Sequence, residues 1–133
     1  MSRVFVDTSA VLALLNPADD AHPRARRAFE RLAAREAPLL TTSFVLVETY
    51  ALIGRRMGLD AVGALRKSFA PLLEVVWIDG AAHEAGLDLL LERGRPDLSL
   101  VDAVSFHVMR QRRLDEAFAF DRHFEDEGFR LVA

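Results

Sequence analysis

Near the start of the chain a four-residue run, Arg3-Val4-Phe5-Val6, stops abruptly at an acid, Asp7. Two hydroxyl residues follow, Thr8 and Ser9, and then an apolar segment over residues 10–15. The run reads as a short buried strand and the later segment as a helix. A carboxylate at the C-terminal end of a buried parallel strand lies where open α/β sheets bind their ligands. The rest of the sequence is therefore read for groups that could meet Asp7 there.

Strand and helix signals alternate from that point on. Residues 16–20 make a turn by composition. Residues 22–35 form an amphipathic helix with Ala25, Ala28, Phe29 and Leu32 on one stripe, and residues 38–41 a second strand. Ser43 is the expected N-cap of an apolar helix reaching about residue 57, with Gly58 as its stop. A further helix is expected over residues 60–73, weakened by Gly63 and Pro71, then a third strand over 74–78 ending at Asp79. Residues 81–93 are helical and closed by Gly94. Ser99 and Asp102 match a capping box in its acidic form and open a helix to about residue 112. Residues 117–120 read as a fourth strand ending at Asp121, residues 122–127 as a short turn or helix stopping at Gly128, and 129–132 as the last strand. This alternation predicts a parallel sheet with helices on both faces, in one domain over residues 1–133.

Composition narrows the chemistry. With 133 residues, 51% of them apolar, the chain can bury a real core. The absence of cysteine excludes disulfides, thiol nucleophiles and thiolate metal sites. No apolar run approaches the roughly 20 residues of a membrane span, and no signal-peptide pattern opens the chain, so the expected address is cytoplasmic, away from membranes. The net charge of −3 does not announce nucleic-acid binding. Sixteen arginines stand against one lysine, Lys67. That usage suits bidentate phosphate contacts, and equally reflects compositional bias.

Four acids are out of place. Asp7 and Asp121 end apolar strands, while Glu48 and Asp102 sit inside apolar helical runs. A lone buried carboxylate costs several kcal/mol or takes up a proton, so each needs a cation, donors or a metal. Each also has a structural alternative. Asp7 could accept the amides of the next helix, Asp102 close its capping box, Asp121 cap the following turn, and Glu48 pair with an arginine. The functional reading rests on convergence. Asp7 and Asp121 end strands that could be neighbours, and Asp102 opens a helix on the same rim. Carboxylates meeting there would repel one another unless a hard divalent cation joined them. Thr8, Ser9 and Ser99 could orient these acids, with helix capping the main role of Ser9 and Ser99. Asp79 also ends a strand but has no partner nearby in sequence. His83, His107 and His123 show no mutual metal-ligand spacing and read as structural or surface residues.

The pattern Val-Phe-Val-Asp7-Thr8-Ser9, Glu48 on an apolar helix, Ser99-Leu-Val-Asp102-Ala, and Phe-Ala-Phe-Asp121-Arg-His-Phe resembles the PIN domains. It is most similar to those of VapC toxins from toxin–antitoxin pairs, over essentially the whole chain. The resemblance implies a three-layer PIN-like α/β domain with a parallel sheet of order 3-2-1-4-5. That order sets Asp7 beside Asp121 and moves Asp79 to the edge. It also implies Mg²⁺ or Mn²⁺ held by Asp7, Glu48 and Asp102, with Asp121 as the fourth acid. Thr8, Ser9 and Ser99 would be supporting hydroxyls. The implied activity is metal-dependent cleavage of RNA, with RNA as substrate, a cognate antitoxin protein as inhibitor, and a homodimer as the assembly. Arg55, Arg56, Arg110, Arg112 and Arg113 are the rim candidates for holding RNA. Competing readings are a PIN nuclease of RNA processing, a phospho-receiver domain, and a catalytically silent interaction module. A receiver would show paired acids after strand 1 and a lysine after the last strand, and neither is found here.

Overall fold

The computed structural model describes residues 2–132. Five strands, β1 (Val4–Val6), β2 (Leu39–Thr42), β3 (Leu73–Val76), β4 (Glu116–Phe118) and β5 (Arg130–Leu131), form one sheet in the order β3-β2-β1-β4-β5. Every pairing is parallel. The expected strand order holds, and it differs from the 2-1-3-4-5 order of receiver-type domains.

Pleating sorts β1 between two cores. Val4 and Val6 face one side with α1 (Thr8–Leu15) and α2 (His22–Ala34), where Ala10, Ala25, Ala28 and Leu32 are buried. Phe5 faces the other side with α6 (Leu100–Gln111) and α7 (His123–Asp126). All three residues of β1 are fully buried, as a central strand covered on both faces requires. The remaining helices are α3 (Ser43–Met57), α4 (Leu59–Ala64) and α5 (Gly80–Arg93). Among the described residues, no helix is long and apolar enough to cross a membrane.

Several boundaries differ from the sequence expectation for local physical reasons. The cap of α3 is Thr42, one residue before Ser43. Its extended backbone still belongs to β2, and its hydroxyl accepts from Val45 N at 3.1 Å. The Ser43 hydroxyl instead accepts Ile78 N at 2.9 Å, which draws the chain off β3 after Val76. The helix expected over residues 60–73 is divided. Beyond α4 the chain widens into a π-turn (Leu65–Phe69) and tightens into a 3₁₀ turn (Ala70–Leu72) that has Pro71 at its start. Strand β4 ends at Phe118 because Val6, its partner, is the last residue of β1.

Helices α5 and α6 pack closely at Gly86. A Cβ there would lie 2.4 Å from Val104 Cγ2 and 3.3 Å from the Val104 backbone. Gly86→Ala is expected to lower stability by about 1–2 kcal/mol. Forced separation of the helices outweighs the gain of up to about 1 kcal/mol in helix propensity. A melting temperature equal to or above that of the unsubstituted protein would contradict this packing.

Candidate active site

Asp7 leaves β1 with extended backbone angles and caps α1. Its Oδ2 accepts from Ser9 N at 3.1 Å and from the Ser9 hydroxyl at 2.6 Å. The Ser9 hydroxyl also accepts Phe120 N at 2.9 Å, so it ties the end of β1 to the chain leaving β4. Asp7 is only 4% exposed. Burial pushes its carboxyl up from 3.8 to about 6. The Ser9 bonds oppose that shift, and the charges of Asp102 and Asp121 add to it.

Asp102 closes the expected capping box. Its Oδ2 accepts Ser99 N at 3.1 Å, and the Ser99 hydroxyl accepts Asp102 N at 3.0 Å. Its carboxyl too is raised, first by burial and further by Asp121. Asp121 lies three residues beyond β4 rather than at its end. It caps the turn into α7 by accepting His123 N at 2.9 Å. Thus Asp7, Asp102 and Asp121 all perform the local capping roles that were their structural alternatives; Asp102 and Asp121 also converge, and Asp7 feels the charge of both. Capping and convergence are compatible because each amide bond fixes its carboxylate and leaves it charged toward its neighbours.

Sequence spacing reads His123 as structural or surface, and the structure sets it among the acids of the site. Atoms of Asp102, Asp121 and His123 suited to ligation lie within 4.8 Å of one another. His123 Nδ1 is 2.7 Å from Asp121 Oδ1 and 3.9 Å from Asp102 Oδ2. Nδ1 is buried without a well-formed hydrogen bond. On the far side, Nε2 lies 3.0 Å from Asp97 Oδ2, and Arg95 grips Asp97 at 2.9 and 3.3 Å. These contacts hold Asp97 down at about 2, with Arg95 the larger cause, and raise the imidazole of His123. Asp97 follows no sequence motif, and a histidine two residues after an acidic strand end was the one available signal for this pair.

The other site candidates are placed differently. Ser9 and Ser99 serve the carboxylates as described. The Thr8 hydroxyl turns toward α3, 2.9 Å from Thr49 Oγ1 and 3.4 Å from Val45 O. Glu48 precedes Thr49 on that helix and is half-buried, outside the Asp102–Asp121–His123 cluster. Among the described residues it has no arginine partner, so that structural alternative is not realised. Asp79 is occupied as the cap of α5, accepting Ala82 N at 2.9 Å.

Among the described residues, no arginine or lysine pairs with Asp7, Asp102 or Asp121; only His123 approaches. A buried carboxylate pressed by two like charges, all presenting oxygen, is the donor set of a hard divalent cation. The residues fit such an ion.

A PIN domain family model matches residues 4–129, and the chain belongs to the PIN domain family. It is 35% identical over 127 residues to the 23S rRNA-specific endonuclease VapC20 of Mycobacterium tuberculosis, covering 95% of each chain. The crystal structure of that protein, described as a sarcin–ricin loop cleaving toxin, superposes with a TM-score of 0.80. DNA-bound VapBC from Salmonella typhimurium shares the fold at 18% identity and a TM-score of 0.71, covering 98% of this chain and 97% of that one.

Proposed function

We propose that this chain is a VapC-type endoribonuclease, the toxin of a toxin–antitoxin pair, which hydrolyses RNA phosphodiesters with Mg²⁺ or Mn²⁺. The observation that carries this reading is that Asp102 and Asp121 converge within charge range of the buried Asp7, with no arginine or lysine paired to any of them among the described residues. Asp7, Asp102 and Asp121 would hold the ion, and Glu48, on α3 outside the Asp102–Asp121–His123 cluster, is the further ligand we assign to it. A divalent cation held by these carboxylates would supply an activated water for in-line attack and offset charge building on the phosphate.

The chain's own residues supply preorganisation. Ser9 fixes Asp7 and Ser99 fixes Asp102 through bonds within the first turns of two helices. The backbone of His123 fixes Asp121. A covalent route through a side-chain nucleophile is not needed. The Ser9 hydroxyl donates to Asp7, the Ser99 hydroxyl accepts from Asp102, and Thr8 is engaged with α3. The protein works in the cytoplasm as a homodimer restrained by a cognate antitoxin. The 35% identity to an enzyme specific for 23S rRNA makes that RNA the first substrate to offer.

The test is expression with and without the adjacent gene, with cleavage assayed on 23S rRNA. Growth arrest relieved by the neighbour, with metal-dependent cutting in vitro, is the expected result. No toxicity on strong expression and no co-purifying neighbour would favour an RNA-processing nuclease. The ligand assignment has its own test. In a Mn²⁺ titration, Glu48→Gln is expected to weaken binding about tenfold, roughly 1.4 kcal/mol. Asp79→Asn, on the edge strand's exit, is expected to leave affinity within about twofold. Equal losses for the two variants would remove Glu48 from the ligand set.

A further inference from the structure

The rim arginines expected to hold RNA are in part engaged elsewhere. Arg110 donates to Glu127 Oε1 at 2.7 Å, and Arg112 is 3.6 Å from Glu74. Carboxylates likewise hold Arg3, Arg35, Arg93 and Arg95. Several arginines, Arg55, Arg56 and Arg113 among them, have no carboxylate partner among the described residues, but Arg24, in the first turn of α2, is set apart by its contact with an aromatic ring beside the site. Its side chain is exposed and, among the described residues, meets no carboxylate. Its guanidinium carbon sits over the Phe120 ring, 5.0 Å from the centroid. Phe120 directly precedes Asp121, and its backbone N–H is bonded to the Ser9 hydroxyl that also donates to Asp7. One side-chain contact therefore separates this arginine from the residues that fix the carboxylate cluster.

We infer that Arg24 grips an RNA phosphate flanking the one that is cut, held ready by the face of Phe120. The inference rests on the proposed ribonuclease activity and adds a binding residue to it. Contact with the ring engages the face of the guanidinium and leaves its N–H edge for a bidentate phosphate contact. A carboxylate-lined site repels a polyanion, so a free cation at its lip is needed to seat the strand. A lone exposed arginine gains little from resting on an aromatic ring, but the ring limits the conformations lost when phosphate arrives.

The test compares Arg24→Gln, Arg24→Lys and a charge-matched control, Arg31→Gln, in the last turn of the same helix. Binding of a labelled single-stranded segment of 23S rRNA is followed by fluorescence anisotropy across a salt series, in the Asp7→Asn background. Arg24→Gln is expected to weaken binding about tenfold and to reduce the magnitude of the salt slope by about 0.7, the value for one phosphate on a single strand. Arg24→Lys should keep the slope and lose part of the affinity, while Arg31→Gln should change neither. With Asp7 restored, Arg24→Gln should raise KM and leave kcat within about twofold, the signature of uniform binding. If Arg24→Gln matches Arg31→Gln in affinity and slope while the unsubstituted protein still cuts RNA, this inference fails alone; an arginine serving an acidic protein partner would give that result. If the unsubstituted protein neither binds nor cuts RNA, the ribonuclease reading fails and this inference falls with it.

Discussion

Replacing Asp7 by asparagine is expected to abolish RNA cleavage, by about a thousandfold or more, and to raise the thermal stability of the metal-free protein. The two effects share one cause. Asp7 is 4% exposed and its carboxylate lies within the influence of the like charges of Asp102 and Asp121. Asparagine keeps the volume and an oxygen for the two Ser9 bonds, but it removes the charge that a cation needs. Losing one ligand charge from a site that stabilises the transition state costs about 4 kcal/mol, or roughly a thousandfold in rate.

The stability effect has a definite pH window. The folded carboxyl titrates at about 6, against an ordinary value of 3.8. Between about pH 4 and 6 the folded protein keeps a proton that the unfolded chain has released. Stability of the metal-free protein therefore falls as pH rises through that window and levels off above it. Two pH units correspond to about 3 kcal/mol, some of it returned through weaker Ser9 bonds to a neutral amide. In EDTA at pH 7.5, Asp7→Asn should melt about 5 °C above the unsubstituted protein. At pH 4.5 the difference should shrink to about a third, and below about pH 3.5 it should nearly vanish. Glu127 acts in the opposite sense but elsewhere. The Arg93 and Arg110 guanidinium groups hold its carboxyl at about 2, so its contribution is lost only in stronger acid. A variant that cuts RNA at the original rate in Mg²⁺ would end the metal-site assignment. A variant less stable in EDTA at pH 7.5 would show that Asp7 serves mainly as a helix cap.

What sequence could tell about this site follows the range of the interactions. The bonds that orient its acids span two or three residues: Asp7 to Ser9, Ser99 to Asp102, Asp121 to His123. Such bonds leave a pattern that can be read by eye, and strand order followed from a resemblance carried by the same residues. The role of His123 was not legible, because its outer partner, Asp97, is 26 residues away. Strand ends were misplaced where a neighbour decided them. Ala119 and Phe120 are apolar enough for a strand, but β1 has already turned into α1, and the Phe120 amide turns to the Ser9 hydroxyl instead. Glu48 shows the converse. Its apolar surroundings in sequence suggested burial, yet Val47 beside it is 67% exposed and Glu48 itself is only half-buried.

The second large effect is expected far from any charge. Phe124, on α7, is fully buried against Phe5, Phe106 and Phe129, with ring centroids 6.1, 5.1 and 6.5 Å away. The Phe106 contact is edge-on, the arrangement aromatic pairs favour. Helix α7 has only four residues and cannot hold its shape alone. Phe124 is the buried residue that anchors it to the sheet. Phe124→Ala should therefore cost about 3–5 kcal/mol, lowering the melting temperature by roughly 10–15 °C. The loss should reach the active site, because His123, the residue before Phe124, supplies the amide that fixes Asp121. Among molecules that remain folded at low temperature, Mn²⁺ affinity should fall as well, and Phe124→Leu should restore much of both. A large loss of stability with unchanged Mn²⁺ affinity would show that Asp121 is held without α7. That outcome would place the anchor of the fourth acid in the Ser9–Phe120 bond instead.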